Sequence, residues 1–189
     1  MNYSVEDYKS RIISHYSSVW DGDFQERKWL KGPIMQVVPH LSILEYKPYS
    51  SREMWTYATC GMSTHTHKFP IEVHIFSSIQ DDSIIELLSA VCYYHNVESN
   101  LDLGNTVNFG RSWQGSSELS FGLLSLPYLD GPNLETLRWN NSNDIHFYWL
   151  IPITKKEVAY KKEFGLEALE AKFEANDFNY LNPNRKSVI

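Results

Sequence analysis

The sequence predicts an α+β fold, a mostly antiparallel sheet covered by helices, and three observations carry that expectation. Short runs of β-compatible residues follow one another with turn residues between them, as in 54–60 and 71–76. Amphipathic segments with recognisable caps stand at 4–18, 83–97 and 154–173. The order of segments is helix, strands, helix, strands, helix, rather than the strict alternation that builds a parallel sheet.

Taken in order, the first helix runs from Ser4 to about Ser18. Ser4 is a favourable N-cap, Glu6 and Asp7 suit the positive end of the helix dipole, and Val5, Tyr8, Ile12 and Tyr16 recur at helical spacing. Asp21-Gly22-Asp23 and Gly32-Pro33 then break the chain into a loop. Met35 to Val38 and Leu41 to Leu44 read as strands divided near Pro39. Met54 to Cys60 is aromatic and β-compatible, ended by Gly61. Ile71 to Phe76 alternates, which directs Ile71, Val73 and Ile75 to the core and Glu72 and His74 outward. These three successive strands imply an antiparallel meander.

The central helix follows Asp81-Asp82. Ser83 and Glu86 have capping-box spacing, and Ile84, Leu87, Leu88 and Val91 form one stripe that ends near Val97. Thr106 to Phe109 and Gly122 to Leu126 are strands joined by a loop over 110–120, with a turn-rich exit at 128–132. Asn140 to Asn143 is a polar hairpin or loop. Ile145 to Ile153 is apolar on both faces and reads as a central strand. Thr154 with Glu157 caps the next helix, Gly165 ends or kinks it, and Leu166, Leu169 and Phe173 continue into a last short helix. The residues 182–186 read as loop. With 189 residues, no repeat and no linker, residues 1–189 are expected to form a single domain.

Composition narrows the function classes. Apolar residues make up 42 %, aromatic residues 14 %, and 17 basic against 23 acidic residues leave a net charge of −6. That balance argues against a basic nucleic-acid binder and against disorder. Residues 95–150 hold two basic residues, Arg111 and Arg138, against six acids, so 2 − 6 = −4 of the charge falls there. An acidic middle of this kind either steers a basic protein partner or simply keeps the chain soluble, and on charge alone solubility is the plainer reading. The start, MNYSVEDYKS, lacks a basic segment followed by an apolar one, and no apolar run approaches the length of a membrane span. Two cysteines without a secretion signal are expected to be reduced, which places the chain in the cytoplasm.

Candidate chemistry is sparse. His65, His67 and His74, with Glu72, have a spacing that could suit a metal-dependent hydrolase, but an exposed polar loop and a solvated strand face are the better reading of them. Cys60 lies near His65 and His67, yet no nucleophile signature surrounds it. Asp81 and Asp82 are better read as helix-start residues than as a catalytic carboxylate pair. Neither a catalytic residue nor a cofactor is therefore assigned. Candidate partner contacts are Arg111, Trp113, Tyr128 and Asp130, with Asp102 and Glu118 as steering charges, the alternative being that Trp113 folds back over the core edge while Arg111 pairs with a nearby acid. Trp55 and Trp149 are assigned to the core.

Six segments in order carry a family resemblance: MWTYATCGMS (54–63), EVHIFSS (72–78), TVNFGRSW (106–113), GLLSLPYLDGP (122–132), HFYWLIPIT (146–154) and EFGLEALEAKF (163–173). The chain resembles the suppressor-of-fused domain in its bacterial, single-lobe form over roughly residues 35–189. The resemblance implies one α+β lobe without catalytic residues or cofactor. Animal members are two-lobed negative regulators that hold a transcription factor through an inserted peptide strand. Bacterial members often serve as immunity proteins (antitoxins) that neutralise a cognate toxin domain, which suits an acidic chain facing a basic nuclease. A regulatory adaptor that binds an endogenous protein by strand addition is the alternative.

Overall fold

The computed structural model describes residues 4–63, 67–139 and 143–189. Helix α1 (Val5–Ser17) starts at Ser4, whose hydroxyl accepts from the Asp7 amide while the Asp7 carboxylate accepts from the Ser4 amide. Strands β1 (Phe24–Arg27), β2 (Ser42–Tyr46), β3 (Trp55–Cys60) and β4 (Ile71–Ser77) follow, with a helical turn α2 (Ile34–Val37) between β1 and β2. Helix α3 (Ser83–Val97) leads to β5 (Thr106–Asn108) and β6 (Phe121–Ser125). A turn α4 (Pro132–Glu135), β7 (Thr136–Arg138) and β8 (Asp144–Ile153) precede α5 (Lys155–Phe164) and α6 (Leu166–Ala175).

These strands form one sheet in the order β1-β2-β3-β4-β8-β6-β5, with β7 on β8. Neighbours from β1 to β4 are antiparallel, so the expected meander is present and gains β1 as a fourth strand. The β4–β8 pair is parallel, and β8 is antiparallel to β6 and β7. The fold is therefore α+β with a mostly antiparallel sheet.

Helices cover both faces. On one, α2 and α3 pack over Ile43, Tyr57, Val73, Ile75, Tyr148 and Leu150. On the other, α1 packs over Leu44, Ala58, Ile145 and Phe147, while α6 packs over Phe76, Trp149 and Ile151. The alternation along β8 sends 145, 147, 149 and 151 to the second face and 148 and 150 to the first. This double cover explains why β8 lacks a polar face.

Several local expectations change for identifiable reasons. Met35 to Val38 is a helical turn with Val38 at its end, not a strand, because Pro33 enters in helical geometry (φ −82, ψ −8). Segment 24–27 is a strand within the expected loop; as an edge strand it needs only one partner and keeps Gln25 and Glu26 exposed. The Ser83–Glu86 capping box does not form. Asp82 is already helical (φ −61, ψ −22), and the Asp81 carboxylate accepts from the Ser83 amide at 2.9 Å. Thr154 and Glu157 do form theirs, and Gly165 ends α5 with φ 93, a left-handed value that suits glycine. The tip at 140–142 lies outside the described residues, but β7 and β8 flank it as an antiparallel hairpin.

Pro152 sits in β8 opposite Gly122 of β6. Strand β4 pairs with β8 only as far as Trp149, so no β4 carbonyl requires the missing amide. The free carbonyl of Pro152 instead accepts from Arg185 at 2.9 Å.

Candidate functional site

The second face of the sheet has a seam between α1 and α6, and aromatic rings cross it. Tyr16 and Trp20 stack at 4.6 Å between centroids, Trp20 meets His74 at 5.4 Å, and His74 meets Phe76 at 5.2 Å. Phe76 then meets Trp149 at 5.4 Å, and Trp149 meets Tyr180 at 5.2 Å. Trp20 continues the spacing of Tyr8, Ile12 and Tyr16 by one more step of four, a signal present in the sequence.

Within the seam lies a buried charge cluster. The Trp20 indole N–H donates to Asp130 Oδ1 at 2.7 Å, and Arg52 donates to the same oxygen. His74 Nε2 lies 3.4 Å from Asp130 Oδ2. The Arg52 guanidinium also sits 5.1 Å from the Trp20 ring and 5.2 Å from that of Phe76. Burial opposes charge on Asp130, but His74, Arg52 and Trp20 outweigh it and hold the carboxyl at about 2. Burial lowers His74. The cluster is internal: the Asp130 and His74 side chains are wholly buried.

The same loop forms an open cleft on its outer side. Tyr128 and Leu129 are 58 % and 47 % exposed. They face α6 and the segment after it across a cleft of about 470 Å³, floored by Trp149, Ile151 and Phe173. Phe178 and Tyr180 close the far wall, with Phe178 stacked on Phe173 at 4.2 Å. Glu170, Glu174 and Asp177 stand around it. The Ser125 hydroxyl donates to Glu170 at 2.6 Å, while the Tyr128 hydroxyl lies 3.4 Å from the second Glu170 oxygen. Among the described residues, none of these three acids is in an ion pair.

The expected contact residues separate accordingly. Tyr128 borders the cleft, and Asp130 supports it from beneath. Trp113 is 0 % exposed and belongs to the core on the α3 side, which removes it as a surface anchor. The loop over 110–120 folds back over the sheet, so its apolar ring goes inward. Arg111 is half-buried and donates to the Ser83 carbonyl at 2.7 Å, fastening that loop to the start of α3. Asp102 accepts from the Tyr148 hydroxyl at 2.7 Å and stays exposed, as does Glu118. Trp149 is buried as expected, and Trp55 is partly buried against the core.

Glu72 and His74 do not face solvent. Both are wholly buried, because α1 and the Asp130 loop cover the face assigned to water. Glu72 accepts from the Thr59 hydroxyl at 2.5 Å and from the Gly61 and Met62 amides at 3.0 and 3.1 Å. Burial nevertheless raises its carboxyl to about 7. The histidine set of the minor zinc reading is not assembled among the described residues: His74 lies against Trp20, whereas His67 packs against His95 of α3 at 4.6 Å, and His65 lies outside the described residues. Burial also raises the Cys60 and Cys92 thiols, which makes neither a nucleophile. Among the described residues no helix is long and apolar enough to cross a membrane.

Glu72, His74 and the Asp130 side chain are thus locked inside, while an aromatic cleft ringed by acids lies open outside. The family model of the suppressor of fused protein matches residues 38–186, and the chain belongs to that family. It is similar to a suppressor-of-fused homologue from Neisseria gonorrhoeae, with 30 % identity over 97 % of this chain and 98 % of that one, at a TM-score of 0.84. The fold also matches a chain of the Sufu–Fu complex, with 13 % identity over 96 % of this chain and 92 % of that one, at a TM-score of 0.69. Drosophila Suppressor of Fused matches at 15 % identity and a TM-score of 0.68, over 94 % of this chain but 50 % of that one. No curated protein matches the chain.

Proposed function

We infer that the chain acts by stoichiometric binding of a protein, as an immunity protein that neutralises a cognate toxin domain in the cytoplasm. One observation carries this reading: Cys60, Glu72, His74, Cys92 and the Asp130 side chain are buried, whereas the cleft beside Tyr128 exposes apolar surface and acids that are in no ion pair among the described residues. The net charge of −6 supports attraction to a basic partner such as a nuclease. Asp102 and Glu118, both exposed, act as steering charges. Arg111, Trp113 and Asp130 hold the scaffold.

The test is co-expression with the toxin encoded beside the gene. Growth rescue with co-purification of a complex is the expected result; no rescue and no complex overturns the reading. An adaptor that binds by strand addition is the second reading, because β1 and β5 leave the two ends of the sheet open. Backbone amide protection appearing along β1 or β5 in a complex would distinguish it.

A further inference from the structure

Building on the protein-binding reading, we propose that the cleft between α6 and the Tyr128 loop receives a cationic peptide segment of the partner, with an arginine beside an apolar side chain.

The cleft is preorganised on both sides. Its near wall is held because Asp130, two residues beyond Tyr128, is tied to Trp20 and Arg52 in the interior. Its far wall is held because Phe178 stacks on Phe173 and on the Arg185 guanidinium, 4.7 Å away. Exposed Tyr128 and Leu129 therefore stand on a fixed loop, which lowers the entropic cost of docking against them.

Charge selects the occupant. A neutral apolar surface closing the cleft would strip water from Glu170, Glu174 and Asp177 without compensation, and an acidic one would be repelled. A guanidinium meets both demands: it pairs with a carboxylate and lies against the Tyr128 or Tyr180 ring. Glu170 is already aimed by the Ser125 hydroxyl, which leaves it one oxygen directed toward Tyr128. The apolar neighbour of the arginine would rest on Leu129.

The probe is a displayed library of random peptides, panned on the full chain and on the Glu170→Gln, Glu174→Gln, Asp177→Asn triple variant. Glutamine at 170 retains an acceptor for Ser125, and the other two sites are exposed. Sequences enriched on the unmodified chain should carry arginine next to an aromatic or aliphatic residue. Their synthetic forms should bind the triple variant at least about tenfold more weakly, at an unchanged melting temperature. Should the triple variant fail to fold, the exposed reversal Glu174→Lys gives the same readout. Enrichment of neutral or acidic peptides, or equal binding to the variants, overturns the proposal. Growth rescue separates the two levels: if the unmodified chain and the triple variant rescue equally, the toxin-binding function stands and the cleft does not serve it.

Discussion

Tyr128 and Asp130 lie two residues apart on one loop, yet Tyr128 is exposed at the cleft while the Asp130 side chain is sealed under it. The buried residue fixes the loop and the exposed residue uses the position so obtained. Asp130 draws on groups from three distant parts of the chain: Trp20 after α1, Arg52 between β2 and β3, and His74 in β4.

Replacing Asp130 by Asn should cost about 3–5 kcal/mol, because the buried Arg52 guanidinium loses its counter-charge. Chemical denaturation measures it. The sign with pH follows from a lowered carboxyl: its contribution is complete above about pH 4 and is lost as pH falls toward about 2, roughly 2 kcal/mol in all. In the Asp130→Asn variant that acid limb should be shallower.

Glu72 should act in the opposite sense. Its carboxyl is raised to about 7, so the folded state holds a proton that the unfolded chain releases near pH 4.5. Stability is then greatest below that value and declines as pH rises through 7, by roughly 3 kcal/mol. Glu72→Gln should flatten the slope between these limits, measured as melting temperature against pH.

Arg185 should matter more than its place near the C-terminus suggests. It makes a two-pronged pair with Glu157, at 2.7 and 3.0 Å, and both side chains are buried. Arg185→Ala leaves that carboxylate uncompensated, at an expected cost of about 3–5 kcal/mol. Arg185→Lys should recover only part of it, since an ammonium cannot engage both oxygens and the Pro152 carbonyl in the same geometry. Thermal melts of the two variants check the order.

Cys60 and Cys92 are buried with raised thiols, so a thiol reagent should label neither in the native protein. Labelling should follow the unfolding curve in denaturant. Rapid modification of either residue without denaturant would contradict their placement in the core.

Much of the fold was legible because caps, breakers and periodicity are local. Ser4 with Asp7 and Thr154 with Glu157 start their helices as expected, Gly165 separates the last two, and β8 carries apolar residues on both faces. The candidate site was much less legible. Tyr128 belongs to it, but Glu170, Glu174 and Asp177 fall in or just beyond a stretch where charge balances along the chain, five Lys against five Glu over 151–175. That count hides their gathering at one cleft, because α6 and the following turn place them on the side that meets Tyr128.

The α+β class, the starts of α1 and α5 and the strand alternation can be read from the residues alone, since each depends on neighbours a few positions away. Which faces lose water depends instead on how distant segments dock. Alternation in β4 separates Glu72 and His74 from Val73 and Ile75 but cannot tell that α1 covers the polar side. The loop carrying Trp113 likewise could lie open or fold inward, and its packing on the α3 side settles it. Burial is a property of docked surfaces, and docking joins segments whose separation in sequence leaves no periodic trace.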